Sequence, residues 1–288
     1  MMLRFLSISV LFLFTQAYAA QADHKFPRDL SRNGPWKTKL NWMTTTDRDN
    51  FKIHRKSGKT VVSQAGVSTL AVVDGRLRAY FQWAPTGDQN EKYFDHIAYV
   101  DYLDGNWSSP EIIEIDIDKE NPRGYPFDPT IVPLPKGGFR LYFTVNNATQ
   151  RGSKDLSIKS AISSDGISFV LETGDRLKLD GQSINDCAVI FFDDLWHLIA
   201  PNHDKAGVGY YATSPDGVTF ERQDDLYHPG GAWLGNMVRH DNTVYFFGTG
   251  FTLRTSDFRR WELVQKHRLA DPGVALFEGE MHVITVGR

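Results

Sequence analysis

Three aspartates stand immediately before runs of apolar, strand-forming residues: Asp128 in FDPTIV, Asp186 in NDCAVIFF and Asp271 in ADPGVALF. Carboxylates gathered at one place raise one another's pKa, so clustering them is costly unless they hold a metal or exchange protons. One chemistry that uses such a set is cleavage of an acetal bond. It needs one carboxyl group that keeps its proton and another that stays ionised, on either side of the bond. The plain alternative is turn chemistry, since an aspartate before proline or at a strand start commonly caps a turn. Asp128 and Asp271 both precede proline.

Other reactive groups are sparse. Cys187 is the only cysteine, so no intrachain disulfide can form, and its place in an apolar run predicts a small core residue. The stretch DIDKE, residues 116–120, resembles a fragment of a calcium loop but lacks the twelve-residue ligand pattern. His203 beside Asp204 is a weak ligand pair, and no HExxH or paired-histidine spacing occurs. No cofactor and no metal site is therefore expected; a channel through the fold could hold a structural calcium, but nothing indicates one.

The elements that position the aspartates follow from an internal repeat. One set of segments is an apolar strand, a tight turn and a second strand: residues 67–83, 129–144, 187–200, 234–249 and 272–287, with DG, KGG, DD, DN and EG at the turns. A second set follows the first four, at 96–115, 157–172, 207–222 and 251–264. Its last three members run through S/T-x-D-x-x-x-F/W: Ser163, Asp165 and Phe169; Ser214, Asp216 and Phe220; Thr255, Asp257 and Trp261. Two hairpins make a four-stranded unit, and such units repeated every forty to sixty residues or so are propeller blades. The fifth unit lacks its second hairpin at the C-terminal end, while KLNWMTTTDRDNFKIHRK near the other end supplies one. The expected fold is all-β, a five-bladed propeller closed by N-terminal outer strands pairing with C-terminal inner strands. A two-sheet jelly roll competes, but accounts for neither the repeat nor the complementary ends.

In a propeller the first residue of each innermost strand lies at one rim of the central channel. The rim positions expected here are Gln64 to Ser68, Asp128, Asp186, Gly231 to Asn236, and Asp271. The S/T-x-D turns fall on the opposite face and read as structural, with Asp capping the turn and Gly166 and Gly217 taking positive φ. Polar loops on the rim face hold or adjoin Trp83, Tyr125, Tyr227 and Trp233, aromatics able to stack on sugar faces, and Arg123, Arg151, His203 and His228, able to bind hydroxyl or carboxylate groups.

FDPTIVPLPKGGFRLYFT, ADPGVALFEGEMHVITVG and the S-x-D-G-x-x-F turns resemble the five-bladed glycoside hydrolases of the arabinanase/xylosidase type, glycoside hydrolase family 43, and their invertase and levansucrase relatives. The resemblance spans most of the chain as architecture, through short motifs. It implies an aspartate as general base, a second aspartate that tunes and orients the acid, and a glutamate as general acid, all at inner-strand rims. Asp128 matches the second aspartate. Asp186 occupies the blade of the glutamate. Blade one, where the base is expected, offers only Gln64, Ser68 and Thr69, and Asp271 is a carboxylate in the preceding blade of the ring. Three alternatives stay open: the acid role has moved to Asp186, a loop residue such as Glu91 or Glu120 supplies it, or the chain is a non-hydrolytic relative.

Bulk properties fit this reading. The 288 residues are 41% hydrophobic with a net charge of -3, so a large core is available and no basic face marks a nucleic-acid partner. Arg4, the apolar run Phe5 to Phe14 and the small-x-small pattern Ala17-Tyr18-Ala19 read as a signal peptide, residues 1–20, and no later stretch is a membrane span. A leader, 21–37, then precedes a single propeller domain, 38–288. The expectation is an exported, periplasmic or secreted, glycan-active enzyme with an oligo- or polysaccharide partner, or a carbohydrate- or protein-binding propeller without the acid.

Overall fold

The computed structural model describes residues 30–45, 47, 51, 53, 58–86, 96–117, 126–148, 155–229 and 231–287. The expected signal peptide and most of the leader lie outside these residues. The described chain is almost entirely β, with one short 3-10 turn at Pro35–Lys37. Five antiparallel sheets stand in a ring, and the jelly roll is excluded.

The innermost strands are Ala65–Val73, Phe127–Pro133, Ala188–Phe192, Ala232–His240 and Gly273–Phe277, one for each of blades one to five. Each packs against the next around the ring, and the fifth packs against the first. Closure is as the repeat predicted: Lys39–Thr45 pairs antiparallel with Glu280–Gly287 in unbroken register, from Lys39 opposite Gly287 to Thr45 opposite Met281. Lys59–Ser63 completes blade five on its outer side. A second cross-link joins blades one and two, where Glu114–Ile115 runs parallel to Ser168–Leu171.

The apolar faces are buried between blades, because each sheet is covered on both sides by its neighbours. The buried side chains fall into five clusters, each formed mainly by two adjacent blades. Tyr80, Ile97, Leu141 and Phe143 pack at the seam of blades one and two; Trp233, Phe246 and Phe251 pack with Ile190 and Ile199 between blades three and four. Each such side chain contributes about 1.5–3 kcal/mol by burial.

The S/T-x-D turns bond as their residue types require. In each, the aspartate Oδ1 accepts two backbone N–H groups, from Ile167 and Ser168, Val218 and Thr219, or Arg259 and Arg260. These bonds hold the carboxyls of Asp165, Asp216 and Asp257 below the usual range, Asp216 at about 2. The turns also lock neighbouring blades. Tyr80 donates to the Gly166 carbonyl at 2.8 Å, and Tyr142 donates to that of Gly217 at 2.8 Å. Arg78 and Arg140 reach the same turns while forming bidentate pairs with Asp101 and Glu172.

Candidate active site

The five blades reach the rim with one shared backbone device. A residue at or near the start of each inner strand has positive φ: Val67 at 23°, Asp128 at 52°, Asp186 at 54°, Gly235 at 150° and Asp271 at 42°. In blades one, two and four the ladder also slips register at this point. Aspartate tolerates the left-handed region better than most residues, which suits it to three of the positions. Gly235 is dictated by space, since a Cβ there would lie 1.9 Å from the Phe247 carbonyl oxygen. Val67 is the exception, a β-branched residue in a strained conformation.

Asp128, Asp186 and Asp271 meet at one narrow cavity of about 10 Å³, lined also by Val67, Ser68 and Asn236. That is about the space of one water molecule. Its polar floor is knitted across the axis. Asn236 of blade four donates through Nδ2 to Thr69 Oγ1 of blade one at 3.1 Å, and Thr130 of blade two donates to the Cys187 carbonyl of blade three. Beyond this floor the channel widens toward the other face into an apolar space of about 460 Å³, lined by inner-strand residues such as Leu70, Val132, Val189 and Met237. Among the described residues no group of three or more His, Cys, Asp or Glu side chains is arranged to hold a metal ion.

Electrostatics separate the carboxyls. Burial, then the charges of Asp128 and Asp271, push the Asp186 carboxyl well above the usual range, and its protonated form hydrogen-bonds to Asp128. Asp186 is half-buried as a residue, but its Oδ1 is sealed from solvent and meets no donor. A buried carboxyl oxygen with no donor, on a group beside a second carboxyl, is satisfied by carrying the proton itself. Oδ2 accepts from Asn185 Nδ2 at 2.5 Å, and the backbone N–H donates to Thr144 Oγ1. Asp271 is also raised, chiefly by burial, with the Thr249 hydroxyl acting in the opposite sense. Cys187, buried in the seam of blades two and three, is pushed up by burial and by Asp186, so it is an inert thiol.

The proposed sugar-binding residues are distributed unevenly. Arg123 and Tyr125 lie outside the described residues, as do Glu91, Glu120 and Arg151. Trp83 is half-buried at the end of Arg76–Trp83, against the blade five–one cluster. His203 is exposed on the loop after Leu195–Pro201, and its Nε2 meets Asn185 Oδ1 at 2.8 Å. His228 is half-buried with its ring against Phe251, while Tyr227 beside it is 68% exposed. Trp233 is not a rim aromatic. It is fully buried, donates through Nε1 to the Gly207 carbonyl and packs edge-on against Phe246, Phe251 and Trp261. The glycines around it, not the polar loop before it, decided this: Gly209 leaves the space its ring fills. Asn185 was missed by sequence reasoning, and Asn236 was read only as the end of the blade-four rim stretch Gly231 to Asn236. Asn185 precedes Asp186 directly, and that adjacency was the only signal for it; the repeat placed Asn236 at the rim, but no residue pattern pointed to its bond across the axis.

No family model matches the chain, and no curated protein matches it. Solved structures do. A family 43 β-xylosidase/α-arabinofuranosidase from a compost microbial metagenome, in complex with xylotriose, aligns at TM-score 0.53 and 13% identity over 77% of this chain and 90% of its own. An α-L-arabinofuranosidase of Clostridium thermocellum aligns at 0.55 and 14% over 76% and 80%. A family 32 β-fructofuranosidase of Bombyx mori aligns at 0.54 and 12% over 86% of this chain and 57% of its own. At these identities the likeness is one of fold: the chain has the five-bladed propeller of family 43 and family 32 glycoside hydrolases.

Proposed function

We propose that this chain is an exported glycan-active enzyme that cleaves glycosidic bonds with the rim aspartates. The observation that carries the reading is the convergence of Asp128, Asp186 and Asp271 from three blades on one cavity, where burial and the neighbouring carboxyls push the Asp186 carboxyl well above its usual range. Asp186 is assigned as the acid that gives its proton to the leaving oxygen as the C–O bond breaks. Asp271 is assigned as the carboxylate that takes a proton from the attacking water, and Asp128 as the group that tunes Asp186. Xylotriose bound to a neighbour of the same fold makes xylo-oligosaccharides and aryl xylosides or arabinofuranosides the first substrates to try. Tyr227 and Trp83 are the described aromatics available to a sugar. Export rests on the N-terminal charge, apolar run and Ala17-Tyr18-Ala19 pattern.

One observation favours a second reading, a carbohydrate-binding propeller without turnover: Val67 stands where a blade-one carboxylate would. The two readings part on mutation. If the enzyme reading holds, wild type hydrolyses a member of the panel, and Asp186→Asn lowers kcat by about 10²–10⁴ while sugar binding persists. If wild type binds glycans but cleaves none, the binding reading stands, and Val67→Asp becomes the variant to test for gained hydrolysis.

A further inference from the structure

Asp186 does not meet solvent through its own side chain alone. Its Oδ2 accepts from Asn185 Nδ2 at 2.5 Å, and Asn185 Oδ1 meets His203 Nε2 at 2.8 Å on an exposed loop. This chain of three side chains fixes which atom of each group carries hydrogen. The Asn185 carbonyl oxygen only accepts, so His203 must donate from Nε2. The Asn185 amide nitrogen only donates, so Asp186 Oδ2 is the bare oxygen. The Asp186 proton is left to Oδ1, which is buried without a donor on a side chain that lines the cavity with the other two carboxyls. Were the Asn185 amide turned over, its oxygen would face Oδ2, the proton would move to Oδ2, and Oδ1 would be left buried with neither donor nor proton. The arrangement seen is the one that satisfies every atom.

We infer that Asn185, oriented by His203, is a positioning residue that directs the Asp186 proton to Oδ1. The meaning of the inference rests on the proposed acid role of Asp186, because an acid must present its proton toward the cavity rather than toward the protein. The other titratable groups facing Asp186 are Asp128 and Asp271 across the cavity and Cys187 next in sequence; Asp204 and Lys205 flank His203. Asn185 is the described neutral donor that touches the Asp186 carboxyl.

The test follows the Asp186 carboxyl directly and needs no sugar. In the full chain labelled with aspartate carboxyl ¹³C, the Asp186 signal is assigned by its loss in Asp186→Asn and then titrated. A hydrogen bond to the ionised form favours that form, so Asn185→Leu raises the Asp186 midpoint, by about half to one pH unit for a bond of ordinary strength. His203→Ala, a change at an exposed position that spares the core, moves the midpoint the same way. His203→Gln, which still offers an N–H to Asn185, restores the wild-type value. An unchanged midpoint in Asn185→Leu and His203→Ala overturns the inference, as does a shift in His203→Gln equal to that in His203→Ala. If the titrations follow the expected order but no glycoside is ever cleaved, the acid role falls and the positioning stands. If glycosides are cleaved while the midpoint ignores Asn185, the reverse holds.

Discussion

Asp186 keeps its carboxyl where a charge is least welcome, enclosed and facing two more carboxyls. The consequence for stability has a definite sign. Below the ordinary carboxylate value of about 3.9 the folded and unfolded chains are both protonated here, and no penalty exists. As pH rises from there, the unfolded chain releases the proton first, so stability falls until the raised native value is passed. Asp186→Asn removes that loss and offers an N–H toward Asp128. We expect its Tm to exceed wild type at pH 8 by about 2–4 °C for each 1 kcal/mol relieved, and the gap to close near pH 4; a gap independent of pH would be the wrong result. Val67 is the other residue under strain, a β-branched side chain at φ 23°. Val67→Asn, which suits the left-handed region better, should raise the urea midpoint by about 0.5–1 kcal/mol in free energy with an unchanged m-value. The three aspartates were legible in the sequence because the same residue type precedes three copies of one strand. The rest of the site was not. Val67 and Gly235 fill the equivalent slots in blades one and four, and no residue type links them to aspartate. Their equivalence is one of backbone conformation.

Hairpins and turns are where sequence and structure agree most closely, because each turn carries its own chemistry. The S/T-x-D turns show it best, and also show its limit. Gly166 and Gly217 take positive φ beside a tyrosine hydroxyl from the preceding blade, but the third copy puts Phe258 at φ 57° in the same slot. The sequence motif gives no reason for a phenylalanine there. The structure does: its ring lies flat on His197 at 3.7 Å between centroids, in place of the arginine–carbonyl contact of the other seams. His197 occupies the register position of Arg78 and Arg140, so turn and partner have changed together. Tight seams predict a controlled comparison. Gly75 and Gly217 share a φ of 72°, yet a Cβ at Gly75 meets nothing within 4 Å, whereas at Gly217 it would lie 2.3 Å from Arg140 Nη1 and 2.7 Å from the Trp196 ring. Gly75→Ala should cost only the backbone term, about 1 kcal/mol. Gly217→Ala should cost about 2–4 kcal/mol, since it also forces the seam of blades two and three apart. Urea unfolding measures both, and equal losses would mean that the turn does not lock the blades.

The ring as a whole was readable from one fact, the complementary halves of blade five at opposite ends of the chain. Lys39–Thr45 and Glu280–Gly287 now pair as adjacent strands, so folding must bring residues some 240 positions apart into register before the ring can close. What no periodicity could disclose is how titratable groups are shared among the seams. His197 and His267 are held down at about 4 by burial, and burial also lowers His228 and His282. They sit in or beside seams: His197 on Phe258 between blades three and four, His282 against Trp42 and Tyr102 between blades five and one. A histidine lowered in the folded state is neutral in both states above its ordinary value of about 6.5. Below that value the unfolded chain takes up protons first, so stability falls as pH drops toward 4. The raised carboxyls Asp186 and Asp271 pull the other way across the same window. Among the described residues four depressed histidines thus act against two raised aspartates between pH 4 and 6.5. Above 6.5 the histidines contribute no slope, and a decline there belongs to the raised rim carboxyls and, toward pH 9, to the buried Cys187 thiol. The stability curve should therefore have an acid side that answers to the seam histidines and an opposing contribution that answers to the rim carboxyls. Unfolding free energy measured by urea from pH 4 to 9 tests this. His197→Gln should flatten the acid limb and leave the alkaline limb alone; Asp186→Asn should flatten the alkaline limb and steepen the acid one. An Asp186→Asn curve parallel to wild type over the whole range would show that the Asp186 carboxyl is not raised in the folded chain, and would remove the protonated acid on which the proposed chemistry depends.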